Sequence, residues 1–410
     1  MKNKFVFGIL GLILSLTACS NETGEEKTTE EHIGKVFDTV TESSLSKYKE
    51  ELLDLNSYDI INDESNEPSN DIIWSYMAIS DKGYYYWKDS KDSTSLICFM
   101  DRVTGKSVPL CNRADCEHTE RECNASFYTR AFASDGICFD SNRLFYYDGY
   151  VYVLAYDKLG QMYLYKLSED GSEKTQYMKL YKKELTQPGN ENHIEYGTPE
   201  ICIHKEYVYY LIPKETVPTL YRMQLGTEKV EEVFKIETER PALYRMLAYG
   251  DFVFFQAGTY SEDYIDVDGG IFAYNVTNGE IKLVKEKVIA TYKMNGVDLY
   301  YATSDGIYRM DMRGENNTKI VAIEKYPIFS VAGKYIYLKD RYDLKVYNEK
   351  GEYILTVKEG EGQSVSSIYY GDSDYIFASG SETVDDKKQS CIFYLDVSEI
   401  ESGVVAWKHH

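Results

Sequence analysis

Short apolar segments rich in aromatic residues alternate with polar turns along most of the chain. Seven such segments recur, with centres at Tyr85, Tyr152, Tyr209, Phe254, Tyr300, Tyr337 and Phe377. Large and polar residues alternate within them, and Val, Ile, Tyr and Phe are abundant, which is typical of β-strands. The last four intervals between centres are 45, 46, 37 and 40 residues, close to the ~40–50 residues of one four-stranded propeller blade.

Further strands recur in phase with the aromatic ones. Second strands are predicted at 95–100, 162–167, 219–224, 270–276, 306–311, 343–348 and 391–397, and most end in a short glycine or polar turn. Third strands are predicted as at 281–284, 319–323 and 353–357, and a strand precedes the aromatic one as at 200–204, 243–248 and 328–331. Four strands per unit predict an all-β fold, a β-propeller of seven four-stranded blades. Closure of a ring is not visible in a sequence, so six or eight blades also satisfy the pattern.

The composition agrees with this architecture. The chain has 410 residues, 43% of them hydrophobic, and 40 tyrosines against 3 tryptophans. A propeller grows by adding blades, so one domain over 72–408 accommodates this length. A tyrosine ring fills the space between twisted sheets while its hydroxyl reaches a polar partner. The alternative, a run of hairpins in a sandwich, is disfavoured by seven phased copies.

The N-terminus carries an export pattern. Lys2 and Lys4 precede an apolar run at 5–14, and Leu-Thr-Ala-Cys ends at Cys19. Positive charge, a short apolar run and a small-residue cleavage site predict a signal peptide over 1–18, too short to span a bilayer comfortably. The last four residues resemble the bacterial lipobox, which implies acylation of Cys19, cleavage before it and anchoring on the extracytoplasmic face of the cell membrane. The alternative is a secreted protein with an unmodified cysteine.

Two further segments separate this anchor from the propeller. We expect a disordered, polar tether over 19–33 and an N-terminal extension over 34–71, in which the spacing at 44–56 is compatible with a short helix. The formal charge is −22, and loss of Lys2 and Lys4 with the signal peptide makes it −24. Such a surface repels nucleic acid and anionic headgroups, so no nucleic-acid partner is expected.

The most specific motif is a cysteine-rich insertion at 109–140. Its spacing is Cys-x4-Cys-x-His-x4-Cys, formed by Cys111, Cys116, His118 and Cys123. Three thiols and an imidazole make a complete tetrahedral set for structural zinc. An exported chain also meets oxidising conditions, so a disulfide among these cysteines and Cys138, or free thiols, are the alternatives to a metal. The remaining cysteines, Cys98, Cys202 and Cys391, lie in apolar strands, where burial explains them.

Catalytic signatures are missing from the sequence. No nucleophile elbow, zinc-protease pair, phosphate loop or dinucleotide turn is present. An acidic loop with Asp263, Asp266 and Asp268 offers oxygen ligands at alternate positions, as calcium requires, although it does not match the EF-hand order, and the alternative is a solvated loop without an ion. His204, Glu206 and Arg245 are predicted on or beside inner strands, where they are either surface or packing residues or reach the central channel.

One family resemblance follows from the repeat. The run from Tyr300 through Ile307 to Asp311 and Gly314 resembles the Tyr-Trp-Thr-Asp repeat of lipoprotein-receptor propellers, with Tyr301 and Ser304 in place of Trp and Asp. Over 207–351 the chain resembles the prolow-density lipoprotein receptor-related protein-like β-propeller family, whose function is uncharacterised. The cysteine insertion separately resembles that of clostridial lipoproteins. Both resemblances imply fold and location.

These observations lead to an expected class of function. A membrane-anchored propeller presents loops and a channel mouth, which are suited to binding a protein or a glycan. Two alternatives remain at this stage. One is a carbohydrate-active enzyme, a lyase or glycoside hydrolase, which needs two clustered carboxylates or a Tyr/His pair. The other is a scaffold subunit of an envelope assembly.

Overall fold

The computed structural model describes residues 38–41, 48–51, 53, 77–89, 94–118, 122–128, 137–157, 160–182, 200–212, 217–262, 267–288, 291–312, 316–323, 328–340, 343–384 and 386–409. Within these ranges lie thirty β-strands and one short helix. The predicted signal peptide, Cys19 and the tether lie outside the described residues. Among the described residues, no helix has the length and apolar character needed to cross a membrane.

The strands of the first four blades follow a short strand, β1 (Asp38–Thr41). Blade 1 consists of β2 (Met77–Ile79), β3 (Gly83–Asp89), β4 (Thr94–Asp101), β5 (Ser107–Pro109) and β6 (Ser126–Tyr128). Blade 2 consists of β7 (Ile137–Tyr147), β8 (Tyr150–Asp157), β9 (Gln161–Ser168) and β10 (Lys174–Lys182). Blade 3 consists of β11 (Glu200–His204), β12 (Tyr207–Leu211), β13 (Thr219–Gln224) and β14 (Val230–Glu237). Blade 4 consists of β15 (Pro241–Tyr249), β16 (Phe252–Tyr260), β17 (Val267–Asn275) and β18 (Ile281–Glu286).

Three more blades complete the set. Blade 5 consists of β19 (Tyr292–Asn295), β20 (Asp298–Thr303), β21 (Gly306–Asp311) and β22 (Thr318–Ala322). Blade 6 consists of β23 (Ile328–Ala332), β24 (Tyr335–Asp340), β25 (Asp343–Asn348) and β26 (Tyr353–Val357). Blade 7 consists of β27 (Gln363–Gly371), β28 (Tyr375–Val384), β29 (Lys387–Asp396) and β30 (Lys408–His409), with helix α1 (Ser398–Ser402) before β30.

Strands pair antiparallel and in chain order within every blade, so the predicted all-β fold with seven four-stranded blades is confirmed. The predicted bounds of β11, β13, β21, β25 and β26 agree with the structure residue for residue. The first strands of successive blades contact one another, as β7 contacts β11 and β11 contacts β15, and they therefore line the inside of the ring. Aromatic side chains near the centres of second strands, such as Tyr85, Tyr209, Phe254 and Tyr337, are fully buried.

The ring closes between blade 7 and blade 1. The hydroxyl of Tyr84 donates a hydrogen bond to Asp372 at 2.6 Å, and Arg102 pairs with Asp372 at 3.0 Å and with Asp374 at 2.6 Å. Phe377 of blade 7 packs in the apolar cluster of blade 1. Because these contacts join the last blade to the first, the blade number is seven.

Polar contacts tie adjacent blades on the face that carries the turns between first and second strands. We call this the turn face, and the opposite face, from which the chain passes to the next blade, the connection face. Ties at successive joints are Lys82–Glu169, Tyr147–Glu206, His204–Gly250, Tyr249–Gly296, Asn295–Gly333, Lys334–Glu401 and Arg102–Asp372. Every joint of the ring is thus held by at least one of these contacts.

The described residues of the N-terminal extension, 38–41 and 48–51, pair with the outer strands of blades 3 and 4. Strand β1 pairs in parallel with β14, the outer strand of blade 3, from Asp38 opposite Phe234 to Thr41 opposite Glu237. Glu50 forms a parallel bridge with Leu283 of β18. Residues 48–51 are not helical, which corrects the predicted short helix at these positions, since pairing with an open sheet edge supersedes a marginal helical spacing.

Candidate functional site

The cysteine loop, residues 111–124, is an insertion within the outer strand of blade 1. Strand β5 pairs with Cys98–Met100 of β4, and β6 pairs with Thr94–Leu96 of the same strand. Between them, the Leu110 N–H donates to the Ile97 carbonyl at 2.8 Å, and the Ile97 N–H donates to the Ala125 carbonyl at 2.9 Å. The chain thus leaves one continuous strand at Leu110 and rejoins it at Ala125, so the strand fixes both ends of the loop.

The loop brings together the four side chains that the sequence motif predicts as candidate zinc ligands. One ligand atom from each of Cys111, Cys116, His118 and Cys123 lies within 4.8 Å of all the others. Nδ1 of His118 is 3.4 Å from Sγ of Cys123. Cys123 is fully buried, whereas the other three are half-buried. No disulfide joins the three cysteines.

Burial and hydrogen bonding act differently on the thiols. Burial raises the pKa of the Cys123 thiol to about 12. Burial also opposes ionisation of Cys111, but hydrogen bonds from the backbone of Arg113 and from the thiols of Cys123 and Cys116 outweigh it and lower the pKa of Cys111. The backbone of Asn124 also donates to Cys111. The lowered pKa favours a thiolate at Cys111, whereas burial disfavours a thiolate at Cys123.

The cysteine loop is fastened to blade 2 as well. Nδ2 of Asn124 donates to the carbonyls of Gly171 and Ser172, each at 2.9 Å, and Nζ of Lys174 donates to the carbonyls of Cys123 at 2.9 Å and Ser126 at 3.1 Å. Gly171, at φ +71°, packs so closely that a Cβ there would lie 2.4 Å from the Leu110 carbonyl oxygen. The loop therefore spans the joint between blades 1 and 2.

His118 adopts a left-handed backbone conformation with φ of 59°. This region is uncommon for residues other than glycine, although histidine tolerates it better than most. The conformation is therefore maintained by its surroundings and turns the imidazole toward Cys123.

The other predicted site residues have different outcomes. Cys19, Asp263 and Asp266 lie outside the described residues, and Asp268 lies in β17 opposite Thr259, so acylation and calcium binding stay predictions. Burial of Cys98 and Cys202 is confirmed, whereas Cys391 is half-buried, which corrects its predicted burial. In the described residues, β30 pairs with Phe393 and Tyr394 of β29 and does not extend to Cys391, so this part of β29 is less covered.

The side chain of His204 and the backbone of Glu206 form hydrogen bonds between blades. Nε2 of His204 is 2.6 Å from the carbonyl oxygen of Gly250, and the side chain is 6% exposed. The backbone N–H of Glu206 donates to the hydroxyl of Tyr147 at 2.9 Å. His204 is therefore a buried packing residue at a blade joint, whereas Glu206 is a surface residue whose backbone contributes to the next joint.

Arg245 differs, because it lies in a distorted part of the inner strand of blade 4. Regular pairing between β15 and β16 is interrupted between Tyr244 and Leu247, and Arg245 has a φ of 56°. Glu200 of blade 3 accepts the backbone N–H of Met246 at 2.9 Å, and the hydroxyl of Tyr292 in blade 5 donates to the carbonyl of Arg245. Two neighbouring blades thus hold this bulge in place.

The side chain of Arg245 lies among tyrosines. Its Nη1 donates to Oε1 of the buried Gln256 at 3.0 Å, and its guanidinium carbon is 5.2 Å from the ring centroid of Tyr244. The rings of Tyr244 and Tyr260 are stacked at 6.4 Å and 11°. Burial raises the pKa of Tyr244 to about 12, while the charge of Arg245 opposes this rise. We call Glu200, Tyr244, Arg245, Tyr260 and Tyr292 the inner-wall cluster.

A cavity of about 410 Å³ lies at the ring closure on the turn face. Its charged lining residues include Arg102, Lys334, Asp374 and Glu401. Arg102 pairs with Asp374, and Lys334 pairs with Glu401. These charged side chains therefore form ion pairs across the joints between blades 6 and 7 and between blades 7 and 1.

Comparisons with known proteins identify the fold and no closer relationship. No family profile and no curated protein matches the chain, so the resemblance to lipoprotein-receptor-like propellers is not confirmed. Among solved structures, the chain is similar to a prolyl endopeptidase studied for inter-domain dynamics in catalysis and specificity, at 14% identity and a TM-score of 0.55 over 90% of this chain and 53% of that chain. It is also similar to a puromycin-hydrolysing peptidase of Mycobacterium tuberculosis, at 10% identity and a TM-score of 0.48 over 84% of this chain and 54% of that chain.

The chain spans about half the length of both peptidase chains. A likeness at this level of identity shows the fold alone, and function must be argued from the site. The chain is a seven-bladed β-propeller.

Proposed function

We propose that this protein is a lipid-anchored, extracytoplasmic binding module that recognises a protein or glycan ligand at the inner-wall cluster. The observation that carries the proposal is the left-handed Arg245 on an inner strand. A non-glycine residue in this region costs on the order of 1–3 kcal/mol, and such residues cluster at ligand-binding and active sites. Glu200 and Tyr292 contribute bonds from both neighbouring blades to keep this conformation.

The chemistry of the cluster suits a ligand with both polar and flat apolar groups. A guanidinium donates paired hydrogen bonds to a carboxylate, and the stacked rings of Tyr244 and Tyr260 offer an amphipathic surface with little conformational entropy to lose. Sugar rings and peptide side chains both combine such groups. The overall charge of −22 supports a ligand other than nucleic acid.

The anchor part of the proposal is supported by the lipobox-like sequence before Cys19. In the described residues, no specific observation favours the enzyme or the scaffold alternative. A test of anchoring uses the full chain in the producing bacterium. The wild-type protein should partition into the detergent phase, and a Cys19→Ser variant should lose the acyl mass and move to the aqueous phase. Detergent partition that is equal for both proteins would contradict acylation at Cys19.

Binding is tested first by screening the purified full chain against glycan and peptide arrays. The strongest ligand is then titrated against the wild type, Arg245→Gln and the control Arg309→Gln. Arg309 pairs with Asp298 on the hairpin formed by the second and third strands of blade 5. We expect Arg245→Gln to weaken binding about 10–100-fold, the worth of a charged hydrogen bond, and Arg309→Gln to change it less than about 2-fold. Arrays without a ligand, or equal affinity in both variants, would refute the proposal.

A further inference from the structure

We propose that Cys111, Cys116, His118 and Cys123 bind one zinc ion, which fastens the outer strand of blade 1 to blade 2. The first ground is convergence. All four donor atoms lie within 4.8 Å of one another, although they are spread over thirteen residues of loop from Cys111 to Cys123. Tetrahedral zinc with Zn–S bonds of ~2.3 Å places two sulfurs roughly 3.8 Å apart, so small side-chain adjustments complete the geometry.

The second ground is the number of donors. A disulfide needs two sulfurs and would leave the third thiol and the His118 imidazole without a role at the same point. A zinc ion uses all four donors. Three thiolates and one imidazole fill a tetrahedral site and leave no position for water or substrate, so the ion has a structural role.

The third ground is the support around the donors. Backbone hydrogen bonds order the chain around the donors: the Cys116 N–H donates to the Arg113 carbonyl at 3.3 Å, and the Ser126 N–H donates to the Cys123 carbonyl at 3.1 Å. Such contacts outside the ligand set keep the ligands of metal sites in place. On the other side, Lys174 donates to the carbonyl of Cys123 and brings a positive charge close to the site. Binding replaces three thiol protons by one Zn²⁺, which releases three protons and gives the centre a net charge of −1 that this cation offsets.

The position of the site explains what the ion does. The loop contributes few apolar side chains of its own, and its stems at Leu110 and Ala125 belong to the outer strand. Asn124 reaches the β9–β10 turn of blade 2. An ion that fixes Cys111 and Cys123 therefore fixes both stems of the loop and the contact with blade 2 at once.

The test measures metal content and coordination in the full chain, purified in detergent without chelator. We expect about one zinc per chain and an X-ray absorption spectrum of three sulfurs at ~2.3 Å and one nitrogen at ~2.0 Å. Cobalt(II) in place of zinc should give the intense visible bands of a tetrahedral thiolate site. Cys116→Ser and His118→Asn should each lower the zinc content at least about 5-fold, because a closed site needs every ligand.

The choice of His118→Asn, a control variant and a proteolysis assay make the test decisive. Asparagine at 118 tolerates the left-handed backbone, so the His118→Asn chain keeps its loop conformation while losing the imidazole. Cys202→Ala removes a buried thiol of blade 3 and should retain all the zinc. Chelation should speed tryptic cleavage after the exposed Arg113 about 10-fold or more in the wild type and leave Cys116→Ser unchanged.

Two results would overturn the proposal. One is a chain that takes up no zinc and whose intact mass and peptide map show a disulfide between two cysteines of the loop. The other is zinc that remains, with an unchanged absorption spectrum, in both Cys116→Ser and His118→Asn. Neither result bears on ligand binding at Arg245, so the zinc site and the proposed function fail independently.

Discussion

The Asp372 carboxylate joins the last blade to the first, and its replacement by asparagine tests how the ring closes. One oxygen accepts the Tyr84 hydroxyl at 2.6 Å and lies 3.0 Å from Nη1 of Arg102. The other accepts the backbone N–H groups of Asp374 and Tyr375, each at 2.8 Å. The first pair of contacts crosses the joint between blades 7 and 1, and the second pair orders the turn that presents the carboxylate.

The expected loss follows from which oxygen changes. Asparagine keeps one acceptor oxygen for the two backbone donors. Its amide nitrogen replaces the oxygen that accepted from Tyr84 and paired with Arg102, so the charged pair is lost and an N–H donor faces the guanidinium. Hydrogen bonds to charged groups contribute about 1.5–3 kcal/mol each when shielded from water. The side chains of Asp372 and Arg102 are 17% and 24% exposed, so screening is partial. We expect the free energy of unfolding to fall by about 2–4 kcal/mol.

Asp305→Asn is the matched control. Asp305 also accepts several bonds, from Thr303, Tyr308 and Lys319, but all of them lie within blade 5, and its side chain is 56% exposed. Exposed pairs of this kind are screened by solvent and contribute little, so the control should lose clearly less unfolding free energy than Asp372→Asn.

Urea unfolding followed by tyrosine fluorescence measures both variants at equal ionic strength. Asp372→Asn should also accelerate proteolysis in blades 1 and 7, because the joint opens before the blades unfold. If the two variants lose equal, small amounts of unfolding free energy, the reasoning about closure is refuted.

Three further predictions concern single side chains. Tyr337→Phe should leave the free energy of unfolding unchanged or raise it by up to about 1 kcal/mol in a urea titration. The reason is that the buried hydroxyl of Tyr337 has no hydrogen-bond partner among the described residues. A fall in the free energy of unfolding of more than about 1 kcal/mol would contradict this reasoning. In the same assay, the free energy of unfolding should fall by about 2–4 kcal/mol in Gly171→Ala and by about 1 kcal/mol in Gly149→Ala. Both glycines have positive φ, but only at Gly171 would an added Cβ meet backbone atoms, so equal losses would show that the close packing is unimportant. Asp305 should titrate by NMR with a pKa of about 2, lowered first by its hydrogen bond with Lys319. Because this pKa is below that of the unfolded chain, the carboxylate favours folding above its unfolded pKa and loses that contribution as the pH falls toward 2. Lys319→Met should raise the pKa of Asp305, and an unchanged pKa would count against the pair.

The sequence predicted the strands well because strand formation here is a local matter. Tyr300 and Tyr301 lie between turn residues, and the apolar and polar alternation around them states which side of the strand is buried. For that reason the bounds of Gly306–Asp311 and Thr219–Gln224 were predicted without error. The cysteine motif was also visible as a ligand set, because ligand type and spacing are properties of the chain itself.

The site geometry depended on contacts between distant residues. Nothing in the sequence around Arg245 predicts a left-handed arginine, since Glu200 and Tyr292 hold it from two other blades. A charged residue in an otherwise apolar inner strand was the available signal, and it marked the position without the bulge. Likewise, the pairing of β1 with β14 joins segments far apart in the chain and has no local pattern.

The amino-acid sequence by itself determined the blade, because alternation and turn residues act within a few residues of one another. Tertiary structure decided the number of blades, since closure depends on Asp372 of blade 7 meeting Tyr84 and Arg102 of blade 1. It also decided that four spaced donors of one loop meet at a point, because the outer strand of blade 1 and the β9–β10 turn of blade 2 hold the loop between them. Interactions between residues close in the chain determine the repeated blade, whereas contacts between blades determine the closed ring and the geometry of its candidate sites.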